Sequence, residues 1–479
     1  MPALSHLASA PEFRSVDPHA IAPQKSVIYA LRTADQEQGS MSGNLAVLKE
    51  IRAQLGLDDT WYDNNMLYAA GDQLTLSRLT SLVALLRQDS SSSRSDTLES
   101  VVGMPGLFHL SFNTIKIIKK AFWGDLSDPT SLASLAKLTG RTDVASSSFL
   151  YYPWSRFLRL VFTADCLSAA TTLSDYDSIE AFEASTATLT ADDLLKIAEG
   201  IVDSFMGPGQ QRLEDDGIKG VRGGSVCGNT IERMKSLGTL LLFDKAVSDG
   251  HPAHILALLR LLLPLFAATG AHLYTHLLIN FLISLDFETP PEAVILRVRN
   301  LVVNPSGKSH SFVPLDLHTE HLNANIKSHA GSNLSPELLA TITPAASPLR
   351  HFADQLEADL ASKPRNTAHS TPSQADDIDK AAHQLFRARA HNYRLDRPLA
   401  KGAPDLVSVG RERLAGRGGA VARALLSHAQ GLEGVRQCPE GVPGAQEWRQ
   451  ANTAFDEDFD ADAALFEDVG SMVESSLGI

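Results

Sequence analysis

Acidic residues lie at the three places where a metal-dependent site at the edge of a small sheet would need them. Asp72 directly follows a predicted strand, Glu320 lies at a strand-to-helix transition after a long helical stretch, and Asp35 and Glu37 follow the opening strand. Two-metal phosphodiester chemistry requires carboxylates from distant segments that hold two cations about 4 Å apart. The sequence therefore predicts Asp72, Glu320 and Glu37 as catalytic residues, with Asp72 and Glu320 as ligands of Mg²⁺ or Mn²⁺.

Asp72 and Glu320 also have a purely structural interpretation. A Gly-Asp pair before an amphipathic helix, as at Gly71 and Asp72, is typical of an N-cap, whose carboxylate accepts hydrogen bonds from the first helical turn. Glu320 could equally be a solvated acid in a first turn, stabilised by the helix dipole. The sequence leaves both interpretations open. The catalytic acid that follows the opening strand could be Asp35 instead of Glu37.

Histidines suggest a second kind of site. His272 and His276 are spaced i, i+4 on an apolar helix, which is half of a metal-binding arrangement, but no HExxH motif is present. Glu320, His321 and His109 would form another site if the fold brought them together. The alternative for each histidine is a hydrogen-bonded position in the core or on the surface.

Charge and cysteine content restrict the class of protein. The chain has 479 residues, a formal net charge of −14 and three widely separated cysteines. This charge argues against nonspecific nucleic-acid binding by the whole chain, although a local basic patch is compatible with it. Sparse cysteines are typical of a reducing compartment, and the N-terminus shows no secretory signal. We expect an intracellular protein, cytoplasmic or nuclear, that is not secreted.

Two consecutive apolar segments call for a comparison with membrane helices. Ile255–Ala268 and Leu273–Leu285 are each shorter than the roughly 20 residues that span a bilayer. Arg260, Pro264 and Asn280 interrupt them. The segments are therefore predicted to be two packed core helices, and we expect no membrane association.

Strand and helix alternate near the N-terminus, and helices alone follow. Periodicity predicts the strands Ser26–Leu31, Met66–Ala70 and Val101–Met104 and the helices Asn44–Leu55, Leu74–Leu86 and Phe108–Trp123. A strand-to-helix segment returns at Pro314–Lys327 after the long helical stretch. This order favours a mainly α fold with a small α/β sheet near the N-terminus, RNase H-like in layout, and a large helical insertion.

Composition divides the chain into three parts. Residues 1–25 hold four prolines and are predicted to form a flexible N-terminal arm. Residues 363–479 are predicted to be a low-complexity, largely disordered charged tail. The domain between them, residues 26–362, comprises an α/β part (26–125), a helical part (126–300) and a returning strand–helix part (301–362).

The predicted tail carries blocks of opposite charge. Residues 380–423 contain ten basic and three acidic residues, whereas residues 455–479 contain eight acidic residues and no basic one. A basic tract could hold nucleic-acid phosphates, and an acidic segment with interspersed apolar residues suits a protein partner. A solvated, flexible tail without a partner is the alternative.

Six short segments, by their order and spacing, resemble the fungal domain of unknown function numbered 6589 (DUF6589), found mostly in mushroom-forming fungi. They span about residues 26–362. Members are commonly longer on the N-terminal side, so we expect the chain to be a truncated copy or a shortened gene model. The matching segments are LRTADQEQGSMSGN (31–44), AAGDQLTLSRL (69–79), MPGLFH (104–109), LVVNPSGKSHSF (301–312), DLHTEHLNANIK (316–327) and GSNLSPELLATITP (331–344).

The resemblance implies no assigned activity, but its layout is comparable to that of RNase H-like transposases. In those proteins a strand–helix core carries acidic residues and a helical insertion precedes the last of them. The first hypothesis is therefore a transposon-derived, degenerate nuclease relic that acts on nucleic acid. The second is a noncatalytic helical scaffold or interaction protein with a charged, partner-binding tail. Convergence of Asp72, Glu320 and an acid from 35–37 on one sheet edge would favour the first.

Overall fold

The structure, a computed structural model, is mainly helical, and the small sheet predicted near the N-terminus is present. It describes residues 17–29, 40–86, 93–146, 149–206, 226–330, 374–392, 405–415 and most of 419–424, with a few single positions between them. Glu37, Asp35 and the acidic segment 455–479 lie outside the described residues.

The α/β part is built on two parallel strands joined by helices. Its elements are α1 (Met41–Leu55), α2 (Asp59–Asn64), β1 (Leu67–Gly71), α3 (Gln73–Leu86), α4 (Arg94–Thr97), β2 (Val101–Pro105) and α5 (Leu107–Phe122). The strands β1 and β2 pair in parallel, with Gly71 opposite Pro105. Parallel neighbours require a crossover, which α3 and α4 provide. Leu76, Leu79 and Leu82 form the buried face of α3.

The opening strand predicted at Ser26–Leu31 is wrong for the residues described. Residues 26–29 lie outside any strand, and Ser26 instead exchanges hydrogen bonds with Asn304, from its N–H to the Asn304 carbonyl (2.9 Å) and from the Asn304 N–H to its Oγ (2.9 Å). Part of the predicted N-terminal arm also contacts the body. The Asp17 carboxylate accepts a 2.9 Å hydrogen bond from the Ala253 N–H, and the Ile21 N–H donates to the Gly250 carbonyl.

The helical part follows α5 and contains the main core. Its helices are α6 (Leu132–Leu138), α7 (Thr142–Ala145), α8 (Tyr151–Leu173), α9 (Ile179–Ser185), α10 (Ala191–Ile201), α11 (Val226–Asp249), α12 (Pro252–Thr269), α13 (His272–Ile283) and α14 (Pro291–Arg299). Large side chains from α8, α11 and α12, among them Trp154, Phe157, Phe243 and Phe266, are almost fully buried there. This part separates β2 from the returning segment by some 200 residues.

Among the described residues, α12 alone is long and apolar enough to cross a membrane by length and composition. In the structure 61% of it is buried, with Ile255, Leu259 and Leu262 in the main core. Apolar core helices of this length pass the same test, and the burial of α12 agrees with the predicted pair of packed helices.

The returning segment brings the chain back to the small sheet. A two-stranded antiparallel hairpin, β3 (Val302–Val303) and β4 (Val313–Pro314), leads directly into α15 (Leu315–Ala330). Helix α15 packs against α5 and also contacts β1 and β3. The predicted transition from extended chain to helix is therefore present, beginning at Val313.

Two helices of the predicted tail pack on the body. Helix α16 (Ala375–Arg387) lies against α8, and α17 (Leu406–Ala415) lies against α12. Ala381, Ala382 and Leu385 of α16 are fully buried in the main core. Among the described residues beyond position 363, α16 and α17 therefore pack on the body.

A buried polar network fastens α16 to the helical part. Arg233 and Asp165 are fully buried and form a bidentate ion pair, with Nη2–Oδ1 at 2.6 Å and Nε–Oδ2 at 3.1 Å. Just beyond α16, His391 Nδ1 lies 3.0 Å from Ser168 Oγ, and its Nε2 lies 3.6 Å from Asp165. Burial, and then the charge of Arg233, lower the pKa of His391 to about 3.

Candidate functional site

The carboxyl ends of β1 and β2 form one edge that gathers residues from three distant segments. Asp72 follows the last residue of β1, and the Gly106 N–H donates a 3.0 Å hydrogen bond to the Gly71 carbonyl. The strand register therefore places Asp72 opposite Gly106, the residue that begins α5. We name the group formed here by Asp72, His109, Asp316 and Glu320 the acidic edge.

Asp316 caps helix α5 from 208 positions further along the chain. The N-cap residue of α5 is Gly106, which has no side chain to satisfy the first turn. The Asp316 carboxylate replaces it, accepting hydrogen bonds from the Phe108 N–H (3.2 Å) and the His109 N–H (3.1 Å). A Cβ at position 106 would overlap this carboxylate. Glycine is thus required for the close approach, and the helix dipole favours the negative charge there.

His109 supplies a hydrogen-bond donor to the acidic edge. Its Nδ1 donates to Asp316 Oδ2 at 2.9 Å, and both side chains are more than 90% buried. Burial lowers the pKa of His109, but the hydrogen bond and charge of Asp316 raise it, and the charges of Asp72 and Glu320 raise it further. The net shift is upward. Asp72 and Glu320, two of the three predicted catalytic acids, therefore both raise the pKa of the His109 imidazole.

Helix geometry explains the position of Glu320. It lies four residues after Asp316 on α15, and residues at this spacing share a helix face. Glu320 is half-buried, whereas Thr319 beside it is exposed. Glu320 lies in the second turn of the returning helix and not at the strand-to-helix transition where the sequence placed it, and the sequence prediction overlooked Asp316, the acid in the first turn. The signal was the glycine in MPGLFH, which leaves α5 without a cap of its own.

Asp72 has the structural role that the sequence also allowed. Its Oδ1 accepts a 2.7 Å hydrogen bond from the Thr75 N–H, and its carbonyl accepts one from the Leu76 N–H. Asp72 is therefore the N-cap of α3 as well as a member of the acidic edge. The capping role is confirmed, and the catalytic role of Asp72 stays a prediction.

A buried tyrosine and an asparagine lie beside the acidic edge. Tyr274 of α13 is buried, and its hydroxyl is hydrogen-bonded to Asn113, whose Nδ2 donates to the His109 carbonyl at 2.8 Å. Burial raises the pKa of Tyr274, and the charges of Asp72 and Asp316 raise it further, although the Asn113 hydrogen bond opposes them. The phenol therefore remains a neutral hydrogen-bonding group.

A second polar cluster lies on α5 near the acidic edge. Ser111 Oγ donates to Asp244 Oδ1 at 2.9 Å and lies 3.0 Å from the Tyr151 hydroxyl. Burial raises the pKa of Asp244 to about 6, against the opposing effects of Ser111 and Arg159. Asp316 contributes to the raised pKa of Tyr151, after burial and Asp244. No sequence pattern predicts this cluster, because its members come from three helices.

The described residues do not fit a two-metal centre. Both oxygens of Asp316 accept hydrogen bonds from α5, and Asp72 Oδ1 caps α3. In the part of the chain that the structure describes, no three histidine, cysteine or acidic side chains are close enough together to hold a metal ion. Neither His272 and His276 nor the combination of Glu320, His321 and His109 forms such a group there. Metal binding by Asp72 and Glu320 stays a prediction, as does the role of Glu37.

The chain belongs to a family of unknown function, DUF6589. The family matches residues 2–369, which is more than half of the chain and includes both strands of the small sheet, the helical part and α15. This match confirms the family resemblance of the six segments. Helices α16 and α17 lie beyond the matched residues. No curated protein and no solved structure matches the chain.

Proposed function

We propose that this protein is a transposon-derived relic of an RNase H-like nuclease, which binds nucleic acid and does not cleave it. The observation that supports the proposal is the convergence of Asp72 with Asp316 and Glu320 around His109. Acids from the end of a strand and from a returning helix meet at the carboxyl edge of a parallel strand pair. A long helical part separates them in sequence, as in the layout of those nucleases.

The chemistry of the acidic edge favours binding without cleavage. Hydrolysis of a phosphodiester by two metals needs carboxylate oxygens free to bind cations. Here Asp316 is bound to the first turn of α5 and to the His109 imidazole. Asp316 thus holds α15 against α5, and Asp72 caps α3.

The test uses the full chain and fluorescein-labelled single-stranded and duplex DNA of about 30 nucleotides. We expect anisotropy to show binding that weakens as salt increases, and no shortened products with Mn²⁺ relative to EDTA. The matched enzyme control is Asp72→Asn. Products that form with Mn²⁺ and disappear in this variant would show an active nuclease. Absence of binding at low salt would refute the proposal and leave the scaffold hypothesis.

A further inference from the structure

Helix α16 forms one wall of a cleft on the surface of the helical part. The opposite wall comes from Pro129 and Leu138, at the two ends of the α6 region, and from Glu180 of α9, and the cleft has a volume of about 650 Å³. Volumes of roughly 300–1,000 Å³ are typical of small-molecule sites. Because α16 lies beyond residue 369, the cleft joins residues inside the family match to residues outside it.

The α16 wall is held in place by polar contacts beside the cleft. Gln384 Nε2 donates to the Pro129 carbonyl at 2.6 Å and to Ser134 Oγ at 3.1 Å. Nearer the start of the helix, Arg141 Nη2 donates to the Asp377 carboxylate at 3.1 Å. The other side of α16 is buried in the main core. The shape of the cleft is therefore fixed by contacts on both sides of its wall.

His383 lies in the middle of this wall and contacts the two acids that line the cleft. Its Nε2 lies 2.9 Å from Glu180 Oε1, and its Nδ1 lies 2.9 Å from the Asp379 carbonyl and 3.2 Å from the Asp379 carboxylate. Carbonyl and carboxylate oxygens only accept hydrogen bonds, so the imidazole satisfies both sides when both ring nitrogens carry a proton. Burial lowers the pKa of His383, but these hydrogen bonds and the charges of Asp379 and Glu180 raise it, and the net shift is upward. The positive charge of His383 therefore lies between the two acids.

Lys380 and Arg387 lie about one turn before and one turn after His383 and also line the cleft. Both are exposed, and their spacing of seven residues keeps them on one face of the helix, about 10 Å apart along its axis. Lys380 Nζ is 4.0 Å from Asp377, whose carboxylate already pairs with Arg141. Arg387 makes no hydrogen bond or ion pair within the part of the chain that the structure describes. The wall therefore presents two cations to a ligand in the cleft.

We propose that this cleft, which we name the α16 cleft, binds a small molecule that carries a phosphate or carboxylate on an apolar body. Arg387 binds the anionic group, because a guanidinium donates two parallel hydrogen bonds to such oxygens. The apolar body lies on Pro129 and on Leu138, which is 38% exposed. Ligand sites combine apolar walls with a few charged groups in this way. The described lining contains no residue of the acidic edge, so the inference goes beyond the proposed function and is independent of it.

The experiment measures binding to the full chain by calorimetry with naphthyl phosphate, naphthoate, naphthol and inorganic phosphate. We expect at least one of the two naphthyl anions to bind, and the tighter one identifies phosphate or carboxylate as the anionic group. Naphthol lacks the charge and inorganic phosphate lacks the apolar body, so each should bind about tenfold more weakly than that anion. Absence of binding by both naphthyl anions would overturn the proposal, and so would equal affinity for naphthol or for inorganic phosphate.

Three variants locate the binding in the α16 cleft. Lys380→Gln/Arg387→Gln removes both cations and should weaken binding of the naphthyl anion about tenfold, while urea unfolding stays close to wild type because both side chains are exposed. In Leu138→Ser, affinity for the naphthyl anion should fall toward that for inorganic phosphate. The matched control, Lys196→Gln/Arg299→Gln, removes an exposed lysine of α10 and an exposed arginine of α14 and should leave affinity unchanged. Wild-type affinity in Lys380→Gln/Arg387→Gln, or an equal loss in the control, would overturn the α16 cleft as the site.

Discussion

Asp244 gives a direct test of the electrostatics beside the acidic edge. Its carboxylate accepts a hydrogen bond from Ser111, yet burial raises its pKa from 3.8 to about 6. Between these values the folded protein holds a proton that the unfolded chain releases. Stability must therefore decrease as pH rises through this window, and it is greatest below pH 4 for this group.

The size of the effect follows from the shift in pKa. Each pKa unit corresponds to about 1.4 kcal/mol, so the charged Asp244 costs about 3 kcal/mol of stability at high pH. About 1.4 kcal/mol of this change falls between pH 5 and pH 7.5, and the rest falls below pH 5. Asp244→Asn keeps an oxygen that accepts the Ser111 hydrogen bond but cannot ionise. The variant should therefore gain about 1.4 kcal/mol relative to wild type over this interval.

Urea unfolding of both proteins at pH 5, 6 and 7.5, followed by circular dichroism, measures this difference directly. The new amide group adds an offset that does not depend on pH, so the informative quantity is the change with pH of the difference in unfolding free energy. Asp192→Asn, an exposed acid on α10, is the control and should show a pH-independent difference. If the difference in unfolding free energy between wild type and Asp244→Asn is the same at the three pH values, the raised pKa of Asp244 is refuted.

Two further substitutions test the buried ion pair and the acidic edge. Arg233→Met leaves Asp165 buried without its partner and should destabilise the fold by about 3–5 kcal/mol in urea unfolding. The double variant Arg233→Met/Asp165→Leu should recover most of the lost stability. Equal losses in the single and the double variant would contradict this prediction. His109→Ala removes the imidazole that is hydrogen-bonded to Asp316 and should strengthen Mn²⁺ binding in calorimetry, because it frees one Asp316 oxygen from this partner. Asp72→Asn should reverse that gain, and unchanged Mn²⁺ affinity in His109→Ala would show that the imidazole does not offset the acids.

Sequence reasoning succeeded where local patterns determine position. Parallel strands place their carboxyl ends at one edge, so Asp72 could be assigned to that edge from strand–helix alternation alone. The returning helix likewise located Glu320, although in the second turn and not at the predicted transition. The role of Asp316 could not be predicted, because a cap supplied from 208 residues away depends on tertiary structure.

The C-terminal helices were missed for a different reason. Composition averaged over residues 380–423 predicted a charged tract. Ala381, Ala382 and Leu385 nevertheless form an apolar face on α16, and this helical periodicity is lost in the averaged composition. The strand predicted at Ser26–Leu31 was wrong for the opposite reason, since there a local apolar pattern predicted an element that the structure lacks at the described residues. Its apolar residues suggested a strand, yet Val27 and Tyr29 are exposed in the structure, at 76% and 83%.

The contact between Asp316 and the first turn of α5 also affects how the chain must assemble. Because α5 precedes the helical part and α15 follows it, both ends of a stretch of about 200 residues are tied together at one point. Closing so long a loop is entropically unfavourable until the helices between are packed. The acidic edge should therefore form late in folding. Insertions between α6 and α14 could lengthen the helical part without moving the residues that meet there.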